Sequence, residues 1–258
     1  VDLAEAIIES CDVFFYTTGV KTGIDLLSKE SALFGLGDIT GIDLPGEKRG
    51  IMPDREWKKD KRRQEWFNGD TINMSIGQGF MLTTPLQLAV MSARIATRGE
   101  QIIPKLVKSI DGTPVEPEFA GEKISYDKKY WDYVHQAMVD VVHSKKGTAR
   151  AISKGLTYKL AGKTGTAQVI SINEKEKYDS SKIDKRKWDH ALFVAFAPAE
   201  NPQIALGLIV ENGEHGSRTA APIARKVIDS YLMGFKQDKE SSTTARLVSG
   251  FSNSAESL

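Results

Sequence analysis

The stretch "YKLAGKTGTAQVIS" (158–171) decides how the chain is read. Its centre is small: Ala161, Gly162, Gly165 and Ala167. It reads as a strand that another backbone or a ligand can approach closely. A lysine inside such a strand, Lys163, can offer positive charge to a carboxylate, and Thr164 and Thr166 add hydroxyls for the same anion. The backbone edge can pair with an extended peptide. The plainer alternative is an edge strand whose lysine guards against aggregation. Lys-Thr-Gly also occurs as Lys21-Thr22-Gly23, in "TTGVKTGIDLL". That copy lies between two helical patterns, where Gly19 and Gly23 suit left-handed backbone and Lys21 suits a helix C-terminus.

Upstream of the strand the pattern is helical. Leu3, Ala6, Ile7, Cys11, Phe14 and Phe15 follow i, i+3/i+4 spacing, which predicts a helix over 3–18 ended by Gly19. A second amphipathic helix is expected over 23–34, stopped by Gly35 and Gly37. Residues 38–70 read as a long loop rich in Gly, Pro and charge, of the kind that is usually functional or a lid. Within it, "REWKKDKRRQEW" (55–66) reads as a solvated basic run, with a partner or membrane surface as the alternative. Thr84 before Pro85 marks a helix running to about 98 and stopped by Gly99. A further helix is expected over 125–143, with Ser125 near its N-cap.

After that the character changes. "ALFVAFAPAE" and "PQIALGLIVEN" are strand-like, and residues 218–235 read as a closing helix. Helices, then clustered strands, then a last helix predict an α/β (α+β) fold: an antiparallel sheet with helices packed on it. The polar, Ser/Thr-rich run from Lys236 reads as a disordered tail beyond a domain of 1–235.

Composition excludes several classes. The chain has 258 residues, 40% of them hydrophobic, enough for a full core. A net charge of +1 gives no electrostatic case for nucleic acid. No apolar run is long enough to span a membrane, and the opening residues read as a helix, not as a signal peptide. The single cysteine, Cys11, excludes an intrachain disulfide. Cys11 could ligate zinc with donors from upstream, or simply fill a core position. His135, His143, His190 and His215 are scattered and read as structural or exposed.

The order of motifs is more specific than any one of them. "ESCDVFF" supplies Ser10-Cys11-Asp12 at a helix, and Lys163-Thr164-Gly165 follows far downstream on a strand. Between them lies "SIGQGFMLTTPLQLA", and after them "DHALFVAFAP" and "VENGEHG". Together these resemble the Ser-x-Asn/Asp, Gly-Gln-Gly and Lys-Thr/Ser-Gly elements of penicillin-binding proteins and serine β-lactamases over about 1–235. "TGIDLPGEKRGIMPDREWK" is similar to the penicillin-binding protein 2 subgroup of class B, the rod-shape transpeptidases of Gram-negative bacteria.

The resemblance implies a fold and a chemistry. A serine of a Ser-x-x-Lys motif attacks a peptidoglycan stem peptide ending in D-Ala-D-Ala, an amine resolves the acyl-enzyme, and β-lactam antibiotics trap the serine. It implies that Ser10 relays a proton and that Asp12 orients the substrate amide or the lysine. Lys163, Thr164 and Gly165 would hold the terminal carboxylate, and the Thr166 N–H would form half of an oxyanion hole. No cofactor is implied. A membrane-embedded glycan polymerase is the implied partner, and the periplasmic face of the inner membrane the implied location.

The chain departs from the pattern in one way. The nucleophile should lie well upstream of Ser10, yet only nine residues precede it. The sole Ser-x-x-Lys is Ser125 to Lys128, on the wrong side of Ser10, where capping explains the serine better. The expectation is therefore a domain portion that needs an upstream part and is inactive alone. A non-catalytic β-lactam sensor on the same fold is the alternative. A β-lactamase and a degenerate partner subunit fit less well.

Overall fold

A computed structural model describes residues 1–170 and 183–234. The polar run from Lys236 lies outside them. The chain opens with α1 (Leu3–Glu9), α2 (Asp12–Thr22) and α3 (Ile24–Leu33), followed by α4 (Arg55–Arg62), α5 (Asn68–Met74) and α6 (Pro85–Ala96). Two short antiparallel pairs come next: β1 (Ile102–Ile103) with β4 (Glu118–Phe119), and β2 (Ser109–Ile110) with β3 (Thr113–Pro114). They were not foreseen from sequence. Then come α7 (Lys128–His143), β5 (Ala161–Ala167), β6 (His190–Ala197), β7 (Ile204–Val210) and α8 (Ala221–Met233).

The main sheet has the order β5-β6-β7 and is antiparallel throughout, as expected. Its central strand is buried along one face and, at Phe196, on the other. Ala191, Phe193, Ala195 and Ala197 alternate onto one, against Ala221, Ala224 and Ile228 of α8. Phe196 points to the other, against Ala96 of α6 and Met138 and Val139 of α7. A smaller cluster of Ile24, Trp66 and Met74 sits under the 38–70 connection.

The first predicted helix is two helices. Ser10 adopts φ 58°, ψ 52° and breaks the run, and Cys11 becomes the N-cap residue of α2. α2 then passes through Gly19 to Thr22. Gly19 is small for packing, not for left-handed backbone: a Cβ there would lie 2.3 Å from that of Ser75. Gly23, at φ 79°, is the true stop. The helix expected over 85–98 forms as α6, with a Thr84–Gln87 capping box and Pro85 in its first turn. The helix expected from 125 begins instead at Lys128, with Asp127 as its N-cap residue; Ser125 is exposed and caps nothing.

The basic run is also corrected. Residues 55–62 are helical, capped by the Asp54 side chain on the Trp57 N–H. Lys58 is buried, its side chain 3% exposed, and it pairs with Asp70 at 2.5 Å. The same Asp70 oxygen accepts from the Phe67 N–H at 2.8 Å, and the ammonium lies 4.6 Å from the Phe67 ring centre. Removing one partner of a buried pair strands the other charge. Lys58→Met is expected to destabilise the chain by about 3 kcal/mol or more. Lys58→Met with Asp70→Asn should recover much of that loss, as read from urea midpoints.

Candidate active site

Two elements distant in sequence meet at the site. The first is the α1–α2 break. A non-glycine residue in the left-handed region costs on the order of 1 kcal/mol, so Ser10 is held there by its surroundings. The Cys11 N–H closes the turn by donating to Ala6 O at 2.9 Å. The second is β5. Lys163 donates from Nζ to the Ser10 hydroxyl and, at 2.9 Å, to the carbonyl of Thr164. Asp12, the first residue of α2, adds its negative charge nearby.

β5 is held close to the protein by glycines. A Cβ at Gly162 would lie 2.5 Å from the Phe193 ring. A Cβ at Gly216 would lie 2.6 Å from the Gly165 carbonyl oxygen. The close approach read from the small residues is therefore made by the fold itself. The other edge of β5 pairs with no strand among the described residues. There Gln78, between Gly77 and Gly79, donates to the Thr166 carbonyl at 2.7 Å. Carbonyl and N–H of one strand residue face the same side, so the Thr166 N–H also faces away from β6.

The sequence reading missed Thr148. Its hydroxyl lies 3.0 Å from that of Thr164, and its N–H donates to Ile8 O at 3.3 Å. It thus ties β5 to the helix that ends at Ser10. The signal was present in "KKGTAR": Gly147 admits no side chain, since a Cβ would lie 2.3 Å from Val141 O. The turn after α7 is thereby fixed and presents Thr148 to β5.

Other candidates fall outside. Lys21-Thr22-Gly23 closes α2 and opens α3, as helix punctuation should. Lys128 pairs with Asp132, one turn on in α7, and does not serve Ser125. His190 begins β6 and accepts from the Asn212 N–H at 2.9 Å; His135 bonds Ile95 O at 2.6 Å. Among the described residues no group of three His, Cys, Asp or Glu is placed to hold a metal ion, so Cys11 has no co-ligands there.

Burial pushes the Lys163 ammonium down to about 8, against an opposing pull upward from Asp12. It is therefore mostly a cation at neutral pH and loses its charge as pH rises through about 8. An ε-ammonium NMR titration of Lys163 should show that midpoint, and Asp12→Asn should move it lower. Attraction of any anion to Lys163 should weaken above the same pH.

The comparisons with known proteins place the chain in the penicillin-binding protein transpeptidase family. The model of the penicillin binding protein transpeptidase domain matches residues 1–229. Its relatives narrow the group. The chain is 42% identical over 242 residues to the peptidoglycan D,D-transpeptidase MrdA of Acinetobacter baumannii, covering 92% of this chain and 35% of that protein. It is 41% identical over 235 residues to MrdA of Haemophilus influenzae, covering 90% and 36%. A Pseudomonas aeruginosa PBP2 solved in complex with WCK 5153 superposes with a TM-score of 0.80 at 45% identity, covering 90% of this chain and 49% of that one. Helicobacter pylori PBP2, solved with MreC, gives 0.77 at 35% identity, covering 91% and 41%. The chain thus spans about a third of the length of the curated relatives.

Proposed function

We propose that these residues are the carboxylate-holding and proton-relaying part of a peptidoglycan D,D-transpeptidase of the cell-elongation machinery. The observation that carries the reading is the contact between Lys163 and Ser10, which joins the two motifs in one site. The cation of Lys163 and the hydroxyl of Thr164 hold the terminal carboxylate of a D-Ala-D-Ala stem peptide, or that of a β-lactam. The open edge of β5 pairs with the extended peptide, and the Thr166 N–H supports the developing oxyanion. Ser10 carries a proton between the base, the attacking serine and the leaving amine, with Lys163 setting its orientation.

The attacking serine and its lysine come from outside these 258 residues. The one Ser-x-x-Lys here has its lysine engaged with Asp132 and its serine exposed at the approach to α7. Related structures suggest the company the protein keeps. The H. pylori relative was solved with MreC. A further relative, 34% identical with a TM-score of 0.76, belongs to a peptidoglycan synthase complex that coordinates polymerization and crosslinking. A membrane-embedded glycan polymerase is therefore the proposed partner, and the periplasmic face of the inner membrane the proposed location. Among the described residues no helix is long and apolar enough to cross a membrane.

A labelled penicillin tests the assignment. The 258-residue chain alone should remain unlabelled, and labelling should appear once the residues upstream in the intact protein are supplied. In that intact protein Lys163→Ala should lower the acylation rate constant by about 100-fold, the scale of a lost charge-assisted contact. Lys21→Ala should leave it unchanged. Labelling of the chain alone, or the opposite ranking of the two lysines, would overturn the reading.

A further inference from the structure

A cavity lies among the helices, lined by none of the candidate active-site residues. It has a volume of about 550 Å³ and is bounded by α3, α6, α7 and the segment before α7. That is the size of a small-molecule pocket, not of a packing defect. Four aromatic rings line it: Phe34, Tyr126, Tyr130 and Trp131. Trp131 is their hub, with its ring centre 6.0 Å from that of Phe34 and 5.5 Å from that of Tyr126. Aliphatic side chains of α3, α6 and α7 supply most of the remaining wall.

One carboxylate faces this lining. Glu30 accepts a hydrogen bond from the Tyr126 hydroxyl, which fixes one of its oxygens. Burial and Glu30 together push the Tyr126 phenol up to about 12, so it remains a donor at neutral pH. No lysine, arginine or histidine lines the cavity, and none among the described residues pairs with Glu30. A negative charge held at an aromatic wall, without a cation of its own, is complementary to an organic cation. Ring faces attract an ammonium through their quadrupoles, and desolvation strengthens the attraction.

We infer that the cavity between α3 and α7 binds a small organic ammonium carried on an apolar body, with the cation against Trp131, Tyr126 and Glu30 and the apolar part against the aliphatic wall. A neutral hydrophobe of the same shape would gain the wall but not the charge. The cavity uses neither Ser10 nor Lys163, so its occupancy is independent of the transpeptidase reading.

Phenyltrimethylammonium and tert-butylbenzene differ by one atom, nitrogen against carbon, and so separate charge from shape. Each is titrated into the 258-residue chain while the indole N–H of Trp131 is followed by NMR. The cation is expected to shift that resonance with saturation, and the neutral isostere to bind at least about tenfold more weakly. Glu30→Gln should weaken the cation by about tenfold, and Tyr130→Ala, at a residue 59% exposed and so outside the core, by several-fold. Three results overturn the inference: no saturable shift, equal binding of the two probes, or undiminished binding of the cation to Glu30→Gln. If Glu30→Gln does not fold, the comparison of the two probes on the unaltered chain decides alone.

Discussion

The contact between Lys163 and Ser10 is the constraint on which the site depends. It requires two costs at once. Ser10 has to stand in left-handed backbone, where its side chain leaves the helix axis and reaches the strand. Lys163 has to give up hydration, which lowers its hold on a proton to about 8. Each cost is offset from nearby. The Cys11 N–H, bonded to Ala6 O, closes the turn around Ser10, and the charge of Asp12 returns part of what burial takes from Lys163. Ser10 and Asp12 are thus linked through the lysine that both face, and neither position can be understood from α1 and α2 alone.

A contact across two elements is useful only if both are held. β5 is fixed through backbone proximity more than through large side chains. Gly162 lies against Phe193, and Gly216 lies against the backbone of Gly165. Gly147 forces the turn that places Thr148 between Ile8 and Thr164. Three positions without side chains therefore set the distance between the strand and the serine helix. Interiors pack too densely for any of them to take even a methyl group without movement.

Patterns with a local cause were legible in the sequence. The Thr84–Pro85 cap, the three main strands and the closing helix rest on period, caps and turn residues, and they formed close to where they were expected. Patterns with a distant cause were not. Nothing within residues 3–18 says that the helix must break, because the partner that exploits the break is Lys163. The run at 55–66 looks solvated because Asp70, which compensates Lys58, stands twelve residues away. Ser125 has the composition of a cap, yet the helix starts after Asp127. At the site, Ser10, Lys163 and Thr164 were legible from motif order, and Gln78 only as part of a resembling segment. For Thr148 the sequence carried only the turn signal of Gly147; the threonine itself gains meaning once α7 and β5 are placed side by side.

For the same reason the two copies of Lys-Thr-Gly have different surroundings. In the first copy Gly23 supplies the unusual backbone angle, and Lys21 points into solvent at the end of a helix, where its charge meets only the helix terminus. In the second copy it is Gly216, outside the triplet, that lets the fold press close to the strand at Gly165, and the lysine is turned inward to a serine. An open strand edge is ordinarily a hazard, and an outward lysine is one ordinary defence. Here the lysine is turned to Ser10, so the edge is guarded differently: Gln78 occupies the Thr166 carbonyl from the loop after α5. A peptide that pairs with β5 must therefore share that edge with Gln78 or displace it.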